Sequence, residues 1–285
     1  MNILYCGDKN IEKGLTLSAL SLSRHIKEPL CIYVLTMSLW ANGRNYAPVS
    51  RRGTLLLEQH LQEKNPKSSV RLIDITAEFQ QTPPIKNMNT RFTPYCMLRL
   101  YADLLPEIPE RILYLDSDVL CRRDFSAFYY QNMEKREIAG VLDYYGKWFF
   151  RKEPLHFDYL NSGVLLLNMR EIRRTRLFRR CRGMCRTRKM FMPDQTALNR
   201  LSESKKICEG KYNEQRKLRK DTVFQHFTTS FRFFPLFHMV TVKPWQADRM
   251  HNELKLTVYD DILKEYQELI TESRKNDRTQ ENLPT

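Results

Sequence analysis

Apolar and polar positions follow two rhythms in the first half of the chain. Short apolar runs at residues 3–6, 30–35, 70–75 and 111–115 have the length of strands buried on both faces. Between them the apolar positions recur every three to four residues. Over 14–26 this puts Leu15, Ala19, Leu22 and Ile26 on one side of a helix, and 54–63 reads as a second helix. Pro29 breaks the first helix, and Pro83-Pro84 with residues 87–90 marks a loop. Pro94 opens a third helix, in which Tyr95, Leu98, Ala102 and Leu105 share a face. Alternating strands and helices predict an α/β fold with a mostly parallel central sheet flanked by helices. Ligands of such sheets bind beyond the carboxyl ends of the strands, where Asp8 and Asp116 fall.

The second half is less regular. Residues 138–142 read as a strand ending at Asp143, and 164–167 as another, entered from a turn at Asn161-Ser162-Gly163. A basic segment covers 170–189. A late strand is expected at 223–227, followed by an aromatic-rich stretch at 231–237 that leads to Lys243-Pro244-Trp245. Residues 259–270 have a helical pattern, and the polar residues 271–285 are expected to fray. With no internal repeat or shift of composition, the expected organisation is one domain over 1–258 and a C-terminal helix with a polar tail over 259–285.

Composition narrows the class. A hydrophobic content of 42% in 285 residues fits a folded chain with a large core. No apolar run approaches the roughly 20 residues of a membrane span. The start of the chain is too short of apolar residues for a secretory signal, and Asp8 interrupts it at once. The 7 cysteines are odd in number and lack a C-x-x-C pair, which argues for reduced thiols rather than disulfides or zinc. The expected location is the cytoplasm, including the inner face of its membrane. The net charge of +14 draws anions in general and does not choose among nucleic acid, acidic lipid and a phosphorylated substrate.

The sharpest chemical signal is Tyr114-Leu115-Asp116-Ser117-Asp118. Side chains two apart on a strand share a face, so Asp116 and Asp118 can converge on one cation where the strand ends. Their oxygens suit Mn²⁺ or Mg²⁺, ions that also hold substrate phosphates. An ordinary solvated turn accounts for the same residues, since Asp is common at strand ends. An EF-hand is excluded, because Leu120 and Cys121 stand where its loop needs a ligand and a glycine.

Several stretches in order carry a resemblance. They are the strand ending near Asp8; Arg-Phe-Thr-Pro-Tyr-Cys-Met-Leu-Arg-Leu at 91–100; Tyr-Leu-Asp-Ser-Asp-Val-Leu at 114–120; Phe-Asp-Tyr-Leu-Asn-Ser-Gly-Val-Leu-Leu-Leu-Asn at 157–168; Pro-Asp-Gln-Thr-Ala-Leu-Asn at 193–199; Lys-Tyr-Asn at 211–213; and Lys-Pro-Trp at 243–245. Together they resemble the retaining glycosyltransferases of family 8, which include bacterial lipopolysaccharide galactosyl- and glucosyltransferases and glycogenin. The resemblance implies the GT-A nucleotide-diphospho-sugar fold. It also implies a UDP-hexose donor, Mn²⁺ (or Mg²⁺), a glycan or glycolipid acceptor, and retained configuration at the donor carbon.

Carried onto this chain, the resemblance makes Asp116, Asp118 and a histidine the metal ligands. The histidine is not settled by spacing. His226 ends the expected strand but lies seventeen residues before Lys243, where the resemblance leads one to expect six. His238 lies five before it. His226 is preferred, because a strand end fixes the ring, and 231–242 is then an insertion; His238 is the alternate. The same carry-over assigns Cys6, Gly7, Asp8, Asn10, Arg99, Ser117, Asp143, Asn161 and Lys243 to the nucleotide sugar. Asp194 and Gln195 are placed at the reacting carbon, where a carboxamide favours front-face transfer over a covalent intermediate. Without the resemblance, Asp8 reads as a helix cap, Arg99 as a surface ion pair and Trp245 as packing. The basic segment 170–189 suits either a solvated face or peripheral membrane contact, and nucleic acid is disfavoured because none of its binding motifs is present. The alternative to an enzyme is a non-catalytic nucleotide-sugar or nucleic-acid binding protein on the same fold.

Overall fold

A computed structural model describes residues 1–41, 43–90, 93–145, 158–232 and 238–281. The expected sheet has seven strands: β1 (Asn2–Cys6), β2 (Cys31–Thr36), β5 (Ser69–Asp74), β6 (Arg111–Leu115), β8 (Ile138–Leu142), β9 (Leu160–Asn168) and β10 (Lys205–Ile207). Three pieces of ribbon complete the strands in chain order. β3 (Leu39–Ala41) pairs with β4 (Arg44–Tyr46), β7 (Val119–Cys121) with β11 (Phe224–His226), and β12 (Ser230–Arg232) with β13 (His238–Val240).

The spatial order is β10-β8-β9-β6-β1-β2-β5. Every neighbouring pair is parallel except the two that β9 makes, with β6 and β8. Strand order turns back at β1, which lies between β2 and β6; such a switch point opens a crevice at the carboxyl edge of a sheet. Because β9 runs against the rest, its first residues, not its last, reach that edge.

Alternation along the strands sorts the two cores. Ile3, Tyr5, Ile32, Val34, Leu113 and Leu115 face α1 (Glu12–Ser23) and α2 (Arg51–Lys64). Leu4, Tyr33, Leu35, Ile112 and Tyr114 face the other layer. That layer holds a long 3₁₀ helix (Pro94–Leu104), α5 (Met169–Thr175), α6 (Leu177–Thr187) and α7 (Pro193–Leu201); α3 (Thr76–Gln81) and α4 (Ser126–Tyr129) come earlier in the chain.

Three expectations change. The helix opened by Pro94 is 3₁₀ and buried almost throughout, not along one face, because it is wedged between the sheet and α6 and α7. Asn161-Ser162-Gly163 is no turn: all three residues belong to β9. The polar stretch after residue 270 does not fray at once, since the C-terminal helix α8 spans Asp260–Glu281.

α8 is fastened to the body in two ways. Ile262 and Tyr259 join a cluster with Leu17, Leu20, Leu120 and Phe227. Glu265, only 14% exposed, receives Arg24 Nε at 2.7 Å, Lys64 Nζ at 2.7 Å and His60 Nε2 at 2.8 Å. Burial works against its ionisation, yet these three donors hold its carboxyl at about 2. Its pKa is lower folded than unfolded, so its contribution is complete above the ordinary value of 4.5 and fades as the pH falls from there toward 2. Glu265→Gln is expected to cost about 1–2 kcal/mol near neutral pH. In denaturant melts the gap to the parent chain should narrow below pH 4.5. An unchanged gap in acid would contradict this reading of the clamp.

Candidate functional site

The carboxyl edge of the sheet gathers most of the residues singled out by the sequence around a cavity of about 450 Å³. β1 delivers Cys6, Gly7 and Asp8, β6 delivers Asp116, β8 delivers Asp143, and the reversed β9 delivers Asn161, Ser162 and Gly163. Arg99 from the 3₁₀ helix and Asp194 and Gln195 from the first turn of α7 close one side; Lys243 and Trp245 close another.

Asp116 and Asp118 do converge, though not by strand alternation. β6 stops at Leu115, and the chain then turns, with Val119 N donating to Asp116 O at 3.1 Å before β7 begins. The register of β7 with β11 does the rest. His226 stands opposite Val119, and Phe227 N donates to Asp118 O at 3.0 Å, so the imidazole is laid beside both carboxylates. His226 Nε2 lies 3.6 Å from Asp116 Oδ2 and 3.3 Å from Asp118 Oδ1. One ligand atom from each of the three lies within 4.8 Å of the others. Two carboxylates and an imidazole form a donor set for a divalent cation.

Room for that cluster depends on Gly163. A Cβ there would sit 2.2 Å from His226 Cε1, 2.7 Å from His226 Nδ1 and 2.8 Å from Asp116 Oδ2. The backbone of β9 thus forms the floor of the cluster, with Gly163 O accepting from Asp116 N at 2.8 Å. The residues therefore fit a cation by donor chemistry, and Gly163 leaves the side chains that supply it the room to come together.

A hydrogen-bonded chain fixes the imidazole. Asn161 Nδ2 donates to Asp143 Oδ2 at 2.9 Å, so Asn161 Oδ1 is left to accept from Asn213 Nδ2 at 2.9 Å and Gly163 N at 3.0 Å. Asn213 then presents its Oδ1 to His226 Nδ1 at 3.2 Å. Nδ1 donates to that oxygen, so Nε2 is the ring nitrogen turned to the carboxylates. Gln195 belongs to the same network: its Oε1 accepts from Ser162 N at 2.9 Å, and its Nε2 donates to Asp143 Oδ2 at 3.1 Å.

Arg99 is not a surface ion pair but lies 3% exposed. It donates to Asp116 Oδ1 at 3.0 Å and Ser162 O at 2.5 Å, lies 3.4 Å from Asp194 Oδ2, and stacks 3.6 Å from the Tyr114 ring centroid. Burial pushes the Asp194 carboxyl up, against the pull of Arg99. Tyr114 Oη also donates to Asp116 Oδ1, at 2.6 Å, so Oδ2 is the Asp116 oxygen left facing His226. Asp118 has Lys243 Nζ on Oδ2 and His226 near Oδ1. Burial alone would raise the Asp118 carboxyl, but these cations hold it well below the usual range. Burial would lower the His226 imidazole, and the Asp118 carboxylate outweighs it and raises it.

The seventeen-residue gap from His226 to Lys243 is filled by the β12–β13 hairpin, whose two stems meet where Thr229 Oγ1 lies 2.8 Å from Thr241 Oγ1. The paired stems bring Thr241 back beside Thr229, so Lys243 still reaches Asp118. The alternate histidine, His238, opens β13, and its side chain lies outside the described residues. Trp245 packs over α1, where a Cβ on Gly14 would lie 2.7 Å from its ring, while also lining the cavity.

Asp8 both caps and lines. Its Oδ1 accepts from Asn10 N at 3.1 Å and its Oδ2 from Asn10 Nδ2 at 2.9 Å; Asn10 itself is exposed and supports Asp8 from behind. Ser117 lines the cavity between the two acids. Sequence reasoning passed over Tyr114, Asn213, Thr228, Thr229 and the Phe191-Met192 pair on the rim. Tyr114 was within reach, since it precedes Asp116 by two on the same strand face. The role of Asn213 in holding a histidine had no local signal.

Two substitutions test this arrangement through Mn²⁺ binding measured by calorimetry. Gly163→Ala forces a methyl group into the buried ring; it should weaken binding at least ~10-fold and cost about 1–3 kcal/mol of stability. Tyr114→Phe removes one of the two donors on Asp116 Oδ1, leaving Arg99, and should weaken binding roughly 10-fold with the fold intact. Parent-like affinity in both would show that the cluster is not the cation site.

Known proteins bear on this geometry. The sequence matches glycosyl transferase family 8 over residues 2–249. No curated protein matches it. The fold is similar to that of the galactosyltransferase LgtC, solved in complex with donor and acceptor sugar analogues, at 19% identity and a TM-score of 0.67 over 94% of this chain and 96% of LgtC. It is also similar to the bifunctional glycosyltransferase WbbM, at 16% identity and a TM-score of 0.68, over 95% of this chain and 51% of WbbM. GlyE of Streptococcus pneumoniae TIGR4 superposes at 18% identity and a TM-score of 0.60, over 93% of this chain and 63% of GlyE. At these identities the solved structures speak for the fold, and it is the match over nearly the whole length that establishes the chain as a member of glycosyltransferase family 8.

Proposed function

We propose that the protein transfers a hexose, glucose or galactose, from a UDP-sugar to a hydroxyl of a glycan or glycolipid, with retention of configuration and with Mn²⁺ (or Mg²⁺) as cofactor. The observation that carries this reading is the Asp116–Asp118–His226 cluster opening onto a cavity at the switch point of the sheet. Those three side chains would hold the cation, which when bound neutralises the donor's two phosphates and the charge that grows on the departing UDP.

The chain's own residues account for the rest. Lys243, now on Asp118, is a point charge close enough to turn to a phosphate oxygen. Cys6, Gly7 and Asp8 at the end of β1, with Asn10 behind Asp8, offer the nucleoside a polar wall. Asp143 and Asn161 present oxygens and an amide to sugar hydroxyls, and buried Arg99 bridges Asp116 and Asp194. Asp194 and Gln195 would lie under the reacting carbon. Both ends of the Gln195 carboxamide are engaged, and a carboxamide is a poor nucleophile, so its part is positioning and electrostatic support. The acceptor hydroxyl then attacks from the face that UDP leaves, and the leaving phosphate takes its proton.

UDP release, followed with Mn²⁺ across a panel of nucleotide sugars, tests the reading. UDP-glucose or UDP-galactose should turn over fastest, and Asp118→Ala should lower the rate at least ~100-fold, since loss of a ligand exceeds the loss of an outer partner. Unchanged turnover in Asp118→Ala would remove the metal role. A chain that binds UDP but turns over none of the panel would favour a binding protein.

A further inference from the structure

A second cavity, of about 410 Å³, shares a wall with the first, because Asp143 lines both. The four residues from Asn213 to Arg216 line it too, and each side chain has its own task. Asn213 orients His226. Glu214 is buried and accepts from Arg219 Nε at 2.5 Å and from Arg216 N at 3.0 Å. Gln215 accepts from Tyr144 N at 2.9 Å and donates to Leu142 O at 3.0 Å, so one carboxamide grips the chain on both sides of Asp143. That grip sets Arg216 beside Tyr144. Its Nη1 donates to Tyr144 Oη at 2.6 Å, and its guanidinium carbon lies 4.3 Å from the ring centroid.

Charge balance sets this arginine apart. The arginines and lysines that line the two cavities are Arg99, Lys243, Arg219 and Arg216. The first three face carboxylates, those of Asp116, Asp118 and Glu214. Arg216 faces none among the described residues, and beyond the bond to Tyr144 its guanidinium has no hydrogen-bond partner among them. An arginine without a task spreads into water. This one is held on an aromatic ring, which steadies the fork and leaves most of its five N–H groups free.

A steadied guanidinium on a cavity wall suits a carboxylate or a phosphate, which it binds through two parallel hydrogen bonds. The donor's diphosphate belongs to the first cavity, with the acid–histidine cluster and Lys243, so a different anion is called for. We propose that the second cavity receives the acceptor, and that Arg216 selects acceptors carrying an anionic group, a sugar carboxylate or a sugar phosphate. Three steps of chain span at most about 11 Å, so Arg216 stays close to Asn213 and the metal-facing histidine. One acceptor can then present a hydroxyl at Asp143 and its charge at Arg216. Recognition of an anion stands on the geometry alone; naming the occupant as acceptor rests on the proposed transfer chemistry.

Three probes that differ only at C6 test it: methyl glucoside, methyl glucuronide and methyl glucoside 6-phosphate. Each is titrated calorimetrically into the full chain with UDP and Mn²⁺ present. At least one charged probe should bind roughly 10-fold tighter than the neutral one, and the tighter of the two identifies the anion as carboxylate or phosphate. Arg216→Gln should bring the charged probes down to the neutral one. Arg216→Lys, which keeps the charge and loses the fork, should retain part of the gain. Lys217→Gln removes the same charge from an exposed neighbour outside the cavity lining and should leave the ratio unchanged. Equal affinity for all three probes, no binding of any, or equal losses in the two glutamine variants would overturn the proposal. So would a lead of UDP-glucuronic acid over UDP-glucose that vanishes in Arg216→Gln, since the anion would then belong to the donor. The titrations need no turnover. A chain that releases no UDP from any nucleotide sugar yet keeps the charged-probe ratio would sink the transfer chemistry and leave the anion site standing.

Discussion

Two carboxylates sharing a small, mostly buried space repel each other, and the architecture around Asp116 and Asp118 is organised to bear that repulsion. Each acid has its own cation, Arg99 on Asp116 and Lys243 on Asp118, with His226 between them. The compensation is unequal. Arg99 is locked by Ser162, Tyr114 and Asp194 and has nowhere to go, whereas Lys243 sits at the end of a flexible stem on the open side. Of the two cations, only Lys243 has room to turn to another partner.

The crowding at this edge comes from one strand that runs against the sheet. The six other strands bring their carboxyl ends to the site edge, and β9 brings its amino end. The edge therefore gains a run of backbone, Asn161 to Gly163, that approaches the carboxylates from below, plus amide groups that link Asp143 to His226 through Asn213. A glycine at the point of closest approach follows from this geometry, since any side chain would occupy the space of the imidazole.

Much of this could be read from the chain itself, for physical reasons. The strands of the first half announced themselves because they are buried on both faces and lack polar interruptions, and the paired acids because they stand one residue apart where such a run ends. What stayed hidden was long-range. The turn at 116–119 places the acids differently from a continuing strand, and no local pattern distinguishes the two. β9 begins at Leu160, with the small polar residues of Asn161-Ser162-Gly163 inside it, so composition read a turn where tertiary pairing makes a strand. β10 and the β3–β4 ribbon are too short and too polar to show any period. Burial of Arg99 depends on partners from three distant segments, none visible from its own neighbourhood.

The threonine pair at the base of the β12–β13 hairpin separates distance along the chain from distance in space. Once the two stems are stitched together, residues can be added to or removed from the far end of the loop without displacing the lysine that follows, because the cost of a longer closed loop grows only with the logarithm of its length. A fixed gap between histidine and lysine is then an accident of loop length and not a requirement of the chemistry. In this chain the place of the lysine is set by the stitch and not by the count of residues.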